Sequence, residues 1–106
     1  MVFQIGAALL DACVLAVLSK GDAYGYILTQ NIKEVVTVSD STLYPVLRRL
    51  EKGNLLESYN QPFEGRNRKY YRITPRGTAQ LENYRIEWKT YAASIDKVLS
   101  GGLSHE

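Results

Sequence analysis

The sequence predicts a mainly α fold of the α+β class, on three observations. Apolar residues recur at helical spacing through residues 3–19, 23–33 and 39–52. Two short runs that read as strands, 55–59 and 68–73, the second with Tyr70 and Tyr71 at its centre, follow with turn residues between them. A last stretch from Thr74 to Leu99 carries a heptad seam. With 106 residues, the chain is long enough for one modest core.

The first helix is expected from about Phe3 to Ser19. Leu9, Leu10, Cys13, Val14, Val17 and Leu18 form its stripe, and Ala7, Ala8, Ala12, Leu15 and Ala16 make the other sides apolar too. A helix apolar on most sides must be covered on most sides. In so short a chain, part of that cover is expected from a second subunit. Gly21 ends the helix and Asp22 is expected to cap the next one. The second helix runs from about Ala23 to Lys33, with Ile27, Leu28 and Ile32 inward and Gln30, Asn31 and Lys33 facing water. Gly25 within it costs up to about 1 kcal/mol against alanine, which suggests a backbone passing close by. Val35-Val36-Thr37-Val38 is β-branched throughout and reads as a short extended connection.

The third helix, Ser39 to Lys52, is the most informative stretch. Leu43, Val46, Leu47 and Leu50 fall at i, i+3, i+4 and i+7 and share one face. Ser41, Pro45, Arg48 and Lys52 lie opposite, flanked by Tyr44 and Arg49. Ser39 or Ser41 serves as the cap. An internal proline costs about 3 kcal/mol; the cost shrinks if Ser41 caps, because Pro45 then lies in the first turn. Gly53 and Asn54 both tolerate left-handed backbone and end the helix. A charged outer face alone marks any solvated helix. Hydroxyls at the head with cations behind also suit a helix entering a DNA groove N-terminus first.

Leu55 to Tyr59 and Arg68 to Ile73 form a hairpin around a loose, turn-rich tip, 60–67. On the returning strand Arg68, Tyr70 and Arg72 point one way and Lys69, Tyr71 and Ile73 the other. Thr74 caps the last helix, with Pro75 at its first position; Ser100-Gly101-Gly102 stops it. Its seam is Leu81, Tyr84, Trp88, Tyr91, Ile95 and Val98, spaced 3, 4, 3, 4 and 3. So long a helix is expected to pair with a copy of itself, or with the first helix of a partner, making these six the dimerisation residues.

Helix, short turn, helix and then a basic hairpin describe a winged helix-turn-helix with a two-stranded wing and a long C-terminal dimerisation helix. Residues 1–73 are expected to be the DNA-binding region, helix 1 also contributing to the dimer interface. Residues 74–106 form the dimerisation helix and tail of a single compact domain. Net charge is only +2, yet Ser39 to Gly77 holds eight cations against four acids, and the remainder five against seven. One cysteine, Cys13, excludes an internal disulfide and any multi-cysteine metal site. The single histidine, His105, lies in a polar tail, and no glycine-rich phosphate loop follows a strand; no catalytic residue, metal or cofactor is expected, and no enzyme. Gly6 to Leu18 is too short to span a bilayer and the first six residues carry no cation, so a cytoplasmic chain without membrane or secretory segment is expected.

These residues resemble the PadR family of bacterial transcriptional regulators, in its short subclass. The resemblance is carried by Tyr24-Gly25-Tyr26, by Thr42-Leu43-Tyr44-Pro45-Val46-Leu47-Arg48-Arg49-Leu50-Glu51, by Arg66-Asn67-Arg68-Lys69-Tyr70-Tyr71-Arg72-Ile73-Thr74 with Gly77, and by Trp88. Asn54 stands where relatives usually carry glycine. The resemblance implies a homodimer binding a double-stranded, inverted-repeat operator, usually as a repressor. It places Thr42 and Tyr44 on the recognition helix and Arg66, Arg68 and Lys69 in the wing. Ser41, Thr42 and Tyr44 are the candidates for base edges, and Arg48, Lys52, Arg66, Arg68 and Lys69 those for DNA contact through phosphate. In some relatives the counterpart of Trp88 lines a dimer-interface cavity for flat aromatic compounds. Tyr84, Trp88, Tyr91 and Ala92 are therefore the candidate effector site for a planar aromatic ligand, the alternative being an interface filled by its own aromatics. The competing function is a winged-helix protein-interaction adaptor without ligand sensing.

Overall fold

The computed structural model describes residues 6–102. The chain forms α1 (Ala7–Leu18), β1 (Ala23–Tyr24), α2 (Gly25–Lys33), α3 (Asp40–Lys52), β2 (Leu56–Phe63), β3 (Arg66–Ile73) and α4 (Pro75–Leu99). The strands make one antiparallel sheet in the order β1-β3-β2. This is an α+β winged helix.

The helical stripes meet where their periods direct them. Leu10, Val14, Leu15 and Leu18 of α1 pack with Leu28 and Ile32 of α2, Leu43, Val46, Leu47 and Leu50 of α3, Leu56 and Tyr71 of the sheet and Leu81 of α4. Each such leucine is worth about 1.5–3 kcal/mol when removed from water. The buried line of α1 is Leu10, Asp11, Val14, Leu15 and Leu18. Leu15 thus lies deeper than expected, while Leu9, Cys13 and Val17 are only half-buried. A helix apolar on nearly every side gives periodicity no phase to measure. The part of the expected first helix at Phe3 lies outside the described residues.

Three expectations about α2 and its approach are corrected. Ala23 and Tyr24 do not begin the helix; they form a third strand, pairing with Tyr71 and Tyr70 of β3. Asp22 caps nothing: its carboxylate accepts from the Tyr59 hydroxyl at 2.7 Å and from Arg72 Nε at 3.2 Å. Ile27 is 45% exposed, while Leu28 and Ile32 do turn inward. At Gly25 a backbone does pass close, the Lys69 carbonyl oxygen at 3.8 Å from where a Cβ would stand, but the Tyr71 ring crowds it more, with Cε2 at 3.2 Å.

Ser39 is the N-cap of α3, so Pro45 sits in the second turn rather than the first. The helix continues through it unbroken; the acceptor that loses its N–H partner is the carbonyl of Ser41, at the exposed head. At the other end Asn54, not Gly53, takes the left-handed turn, with φ of 64°. Its N–H bonds to the Glu51 carbonyl and that of Leu55 to the Leu50 carbonyl, each at 3.0 Å, which closes the helix with a Schellman motif.

The wing is longer and tighter than its sequence suggests. Pairing runs without a break from Leu56 opposite Ile73 to Phe63 opposite Arg66, leaving a two-residue turn, Glu64-Gly65. Both turn residues have positive φ, 51° and 77°, as a type I′ turn demands. Pro62 is accommodated because β2 is an edge strand.

Thr74 caps α4 by accepting from the Gly77 N–H at 3.0 Å. A Cβ at Gly77 would fall 2.2 Å from the Leu55 carbonyl oxygen, so only glycine lets α4 enter this close to the base of the wing. Leu81 is the last fully buried residue of α4. Beyond it the helix projects, giving the molecule extents of 66 × 30 × 21 Å.

Candidate nucleic-acid interface

The four buried leucine and valine positions of α3 turn Ser41, Thr42, Pro45, Arg48 and Lys52 outward, all exposed, with Tyr44 half-buried beside them. The hydroxyls at the head are held together: Ser39 Oγ lies 2.9 Å from Ser41 Oγ and 3.1 Å from Thr42 Oγ1. Asp40 at the first helical position pairs with Lys33 at 3.1 Å, a bond that ties α2 to the head of α3. Arg48 and Lys52 enter no ion pair among the described residues. A row of hydroxyls backed by two uncommitted cations is an arrangement that can meet base edges and phosphates.

The wing has two unlike faces. Tyr71 and Leu56 turn to the core, and on that side Lys69 pairs with Glu51 of α3 at 3.3 Å. The Ser58 hydroxyl and, more weakly, Lys69 hold the Glu51 carboxyl below the usual carboxylate range, against the opposing effect of burial. The other face is an aromatic ladder. Tyr59 stacks on Tyr70 at 5.7 Å, Tyr70 meets Tyr24 at 6.0 Å, and Tyr24 meets Phe63 at 6.1 Å. Arg68 lies over the Tyr24 ring at 5.0 Å and the Phe63 ring at 5.8 Å, and donates to the Tyr24 hydroxyl. Arg72 covers Tyr59 at 4.7 Å. Of the wing cations expected to meet phosphate, Arg66 alone is exposed and outside these contacts; Arg68 is half-buried and Lys69 is paired.

Asp11 is the polar residue that the sequence reading passed over. It is 8% exposed, inside α1. Arg49 of α3 donates to it from Nη1 to both carboxylate oxygens at 2.9 Å and from Nη2 at 2.8 Å. The Tyr84 hydroxyl of α4 adds a contact at 3.3 Å. Burial and the Asp11 charge push the Tyr84 phenol up, so it remains a donor at neutral pH. The available signal was a lone acid in an apolar helix, which demands a partner.

Along α4 the expected seam divides. Leu81 is buried and Tyr84 half-buried, whereas Trp88 is 49% exposed, Tyr91 58%, Ile95 38% and Val98 54%. Trp88 and Tyr91 face each other with ring centroids 6.3 Å apart, and Ala92 lies half-buried one turn on from Trp88. Two open clefts of about 360 and 330 Å³ lie elsewhere, between α2 and the wing around Tyr24, Ile27 and Phe63, remote from Trp88. Burial raises the pKa of the Cys13 thiol, which keeps it protonated and unreactive. Among the described residues no group of three metal-ligating side chains comes together. No described helix is long and apolar enough to cross a membrane.

A recognition helix, a β-wing beside it and a long terminal helix are the parts of a winged-helix regulator. The sequence model of the PadR-like transcriptional regulator family matches residues 14–83. The chain belongs to the PadR-like family. It is 39% identical over 85 residues to the transcriptional regulator Rv3488 of Mycobacterium tuberculosis, covering 79% of this chain and 76% of that one. The crystal structure of smu.1704 from Streptococcus mutans superposes with a TM-score of 0.90 at 40% identity over the whole of both chains. That of a PadR-like transcriptional regulator from Bacillus cereus gives 0.78 at 32% identity, covering 86% and 91%. As a PadR-like regulator the protein acts in transcription by binding DNA, and it is not an enzyme.

Proposed function

We propose that this PadR-like protein is a homodimeric, cytoplasmic repressor that binds an inverted-repeat operator and is released by a planar aromatic ligand at the dimer interface. The observation that carries the reading is the apolar face of α4 beyond Leu81. Trp88, Tyr91, Ile95, Val98 and Leu99 stand open to water at the end of a seam whose beginning is buried. Among the described residues of a single chain nothing covers them, while a second copy supplies an identical stripe in an isologous contact.

In this reading Ser41, Thr42 and Tyr44 touch base edges. Arg48, Lys52 and Arg66 are the free phosphate contacts. Arg68 and Lys69 serve mainly to brace the wing and reach phosphate only secondarily. No Asn, Gln or Arg stands at the head of α3 to make a bidentate base contact, so part of the specificity rests on half-site spacing and DNA shape. The ligand stacks between the two indoles of the dimer, with Tyr84, Tyr91 and Ala92 around it.

The test is a mobility-shift titration against the chain's own promoter region, repeated with a panel of planar phenolic and cationic aromatic compounds while Trp88 fluorescence is followed. The expected result is a retarded complex of two chains per site that one class of compound both quenches and dissociates. A protein that retards no promoter fragment, or whose Trp88 is quenched by none of the panel, contradicts the corresponding half of the proposal.

A further inference from the structure

Asp11 joins three helices on one carboxylate. Arg49 reaches it from the recognition helix with a bidentate grip, and Tyr84 reaches it from the terminal helix. Leucine contacts between helices allow small slides, but a two-pronged arginine–carboxylate pair fixes direction as well as distance. Asp11 has 11% of its side chain exposed. Motion of α3 against α1 must therefore carry the carboxylate along or strand it without a partner, which is costly. Tyr84 belongs to this node and to the α4 seam at once, one heptad before Tyr91.

Arg49 has a second aspect. It follows Thr42 by seven positions and so lies on the same flank of α3, with half of its side chain exposed. A cation on the flank of the proposed DNA face is tied back by Asp11.

We propose that Asp11 and Tyr84 are positioning residues for operator geometry: through Arg49 they hold the recognition helix at a fixed angle to α4 and keep that arginine away from phosphate. This rests on the reading above, in which α4 joins two copies and α3 enters the DNA. The spacing of two recognition helices then depends on the angle between α3 and α4 within each copy, and operator spacing is fixed by the DNA at about one helical turn. A ligand that changes how α4 crosses its partner draws the Tyr84 hydroxyl from Asp11 and loosens that angle.

The experiment titrates wild type, Asp11→Asn, Asp11→Asn with Arg49→Ala, and Tyr84→Phe against three operator duplexes and one unrelated duplex over a range of salt. The operators differ by one base pair, longer or shorter, at the centre. Wild type prefers one spacing. Asp11→Asn is expected to lose about fivefold or more of that preference. It is also expected to bind the unrelated duplex more tightly, with a log–log salt slope steeper by about 1 as Arg49 meets a phosphate. The double variant loses the preference without the steeper slope. Tyr84→Phe, which removes a single hydroxyl, loses part of the preference and keeps the fold.

A uniform loss of affinity in Asp11→Asn, with the slope and spacing preference unchanged, reduces the node to a structural tie and overturns the proposal. If Asp11→Asn does not fold, Tyr84→Phe decides: an unaltered spacing preference overturns it. Wild type that binds no operator, or binds all spacings alike, refutes the dimeric DNA-binding reading itself, and the coupling falls with it.

Discussion

Glu51 shows how one side chain can serve both the recognition helix and the wing. Its carboxylate accepts from Ser58 on β2 and pairs with Lys69 on β3, so it fastens the sheet to the end of α3. A carboxyl whose pKa is lowered in the folded state stabilises the fold above its unfolded pKa, and that contribution disappears as pH falls through the folded value. Glu51→Gln keeps the shape and an acceptor for Ser58 but removes the charge. Chemical denaturation should therefore find wild type more stable than the variant at pH 7, and the two equal well below the carboxylate range. A difference that persists at acid pH would assign the effect to packing instead. Arg66 and Arg68 make the second contrast, because the sequence gives them equal standing and the structure does not. Arg66→Ala should leave thermal stability within about 0.5 kcal/mol, as for an exposed surface change, and make the log–log salt slope of DNA binding shallower by about 1. Arg68→Ala removes the cation covering Tyr24 and Phe63 and should lower the melting temperature. Equal effects on stability would show that the aromatic ladder does not depend on Arg68.

Elements were legible in the sequence where a period runs long enough to be measured. Four buried residues between Leu43 and Leu50 fix the face of α3, and twenty-five residues fix α4, whose Thr74 cap and Pro75 start appear where expected. β1 is two residues long, too short for any alternation, and it exists because β3 offers it an edge. The wing tip misled for a different reason. Asn60-Gln61-Pro62 and Glu64-Gly65-Arg66-Asn67 carry turn composition, yet all but two of the residues from 60 to 67 are paired. Register is imposed there by the I′ turn, and Glu64 is an unfavourable residue for it, since left-handed backbone costs an ordinary side chain about 1–2 kcal/mol. Asparagine adopts that conformation readily. Glu64→Asn should therefore raise stability by about 0.5–1 kcal/mol, read as a shift in the denaturation midpoint with an unchanged m-value. A loss of stability would mean that the Glu64 side chain makes a contact worth more than its backbone strain.

At the scale of the whole molecule, the division between what sequence revealed and what structure added falls within α4. The seam was readable from Leu81 to Val98, but sequence could not say that the fully buried part of it ends at Leu81 and that the rest stands exposed in a single chain. Because Trp88 is 49% and Ile95 38% exposed in a single copy, charges placed there can still reach water in the monomer, whereas in a dimer they become buried without partners. Trp88→Asp with Ile95→Asp should consequently yield a folded monomer of about 12 kDa by sedimentation, and wild type should sediment at twice that mass at micromolar concentration. Far-ultraviolet circular dichroism of the variant should keep the helix content of wild type, apart from fraying at the end of α4. The same variant should also bind operator much more weakly than wild type while matching it on a half-site, because joining two half-sites contributes through effective concentration and not through new contacts. Wild type that sediments only as a 12 kDa species would remove the dimer from the proposal, and with it any site between two Trp88 indoles.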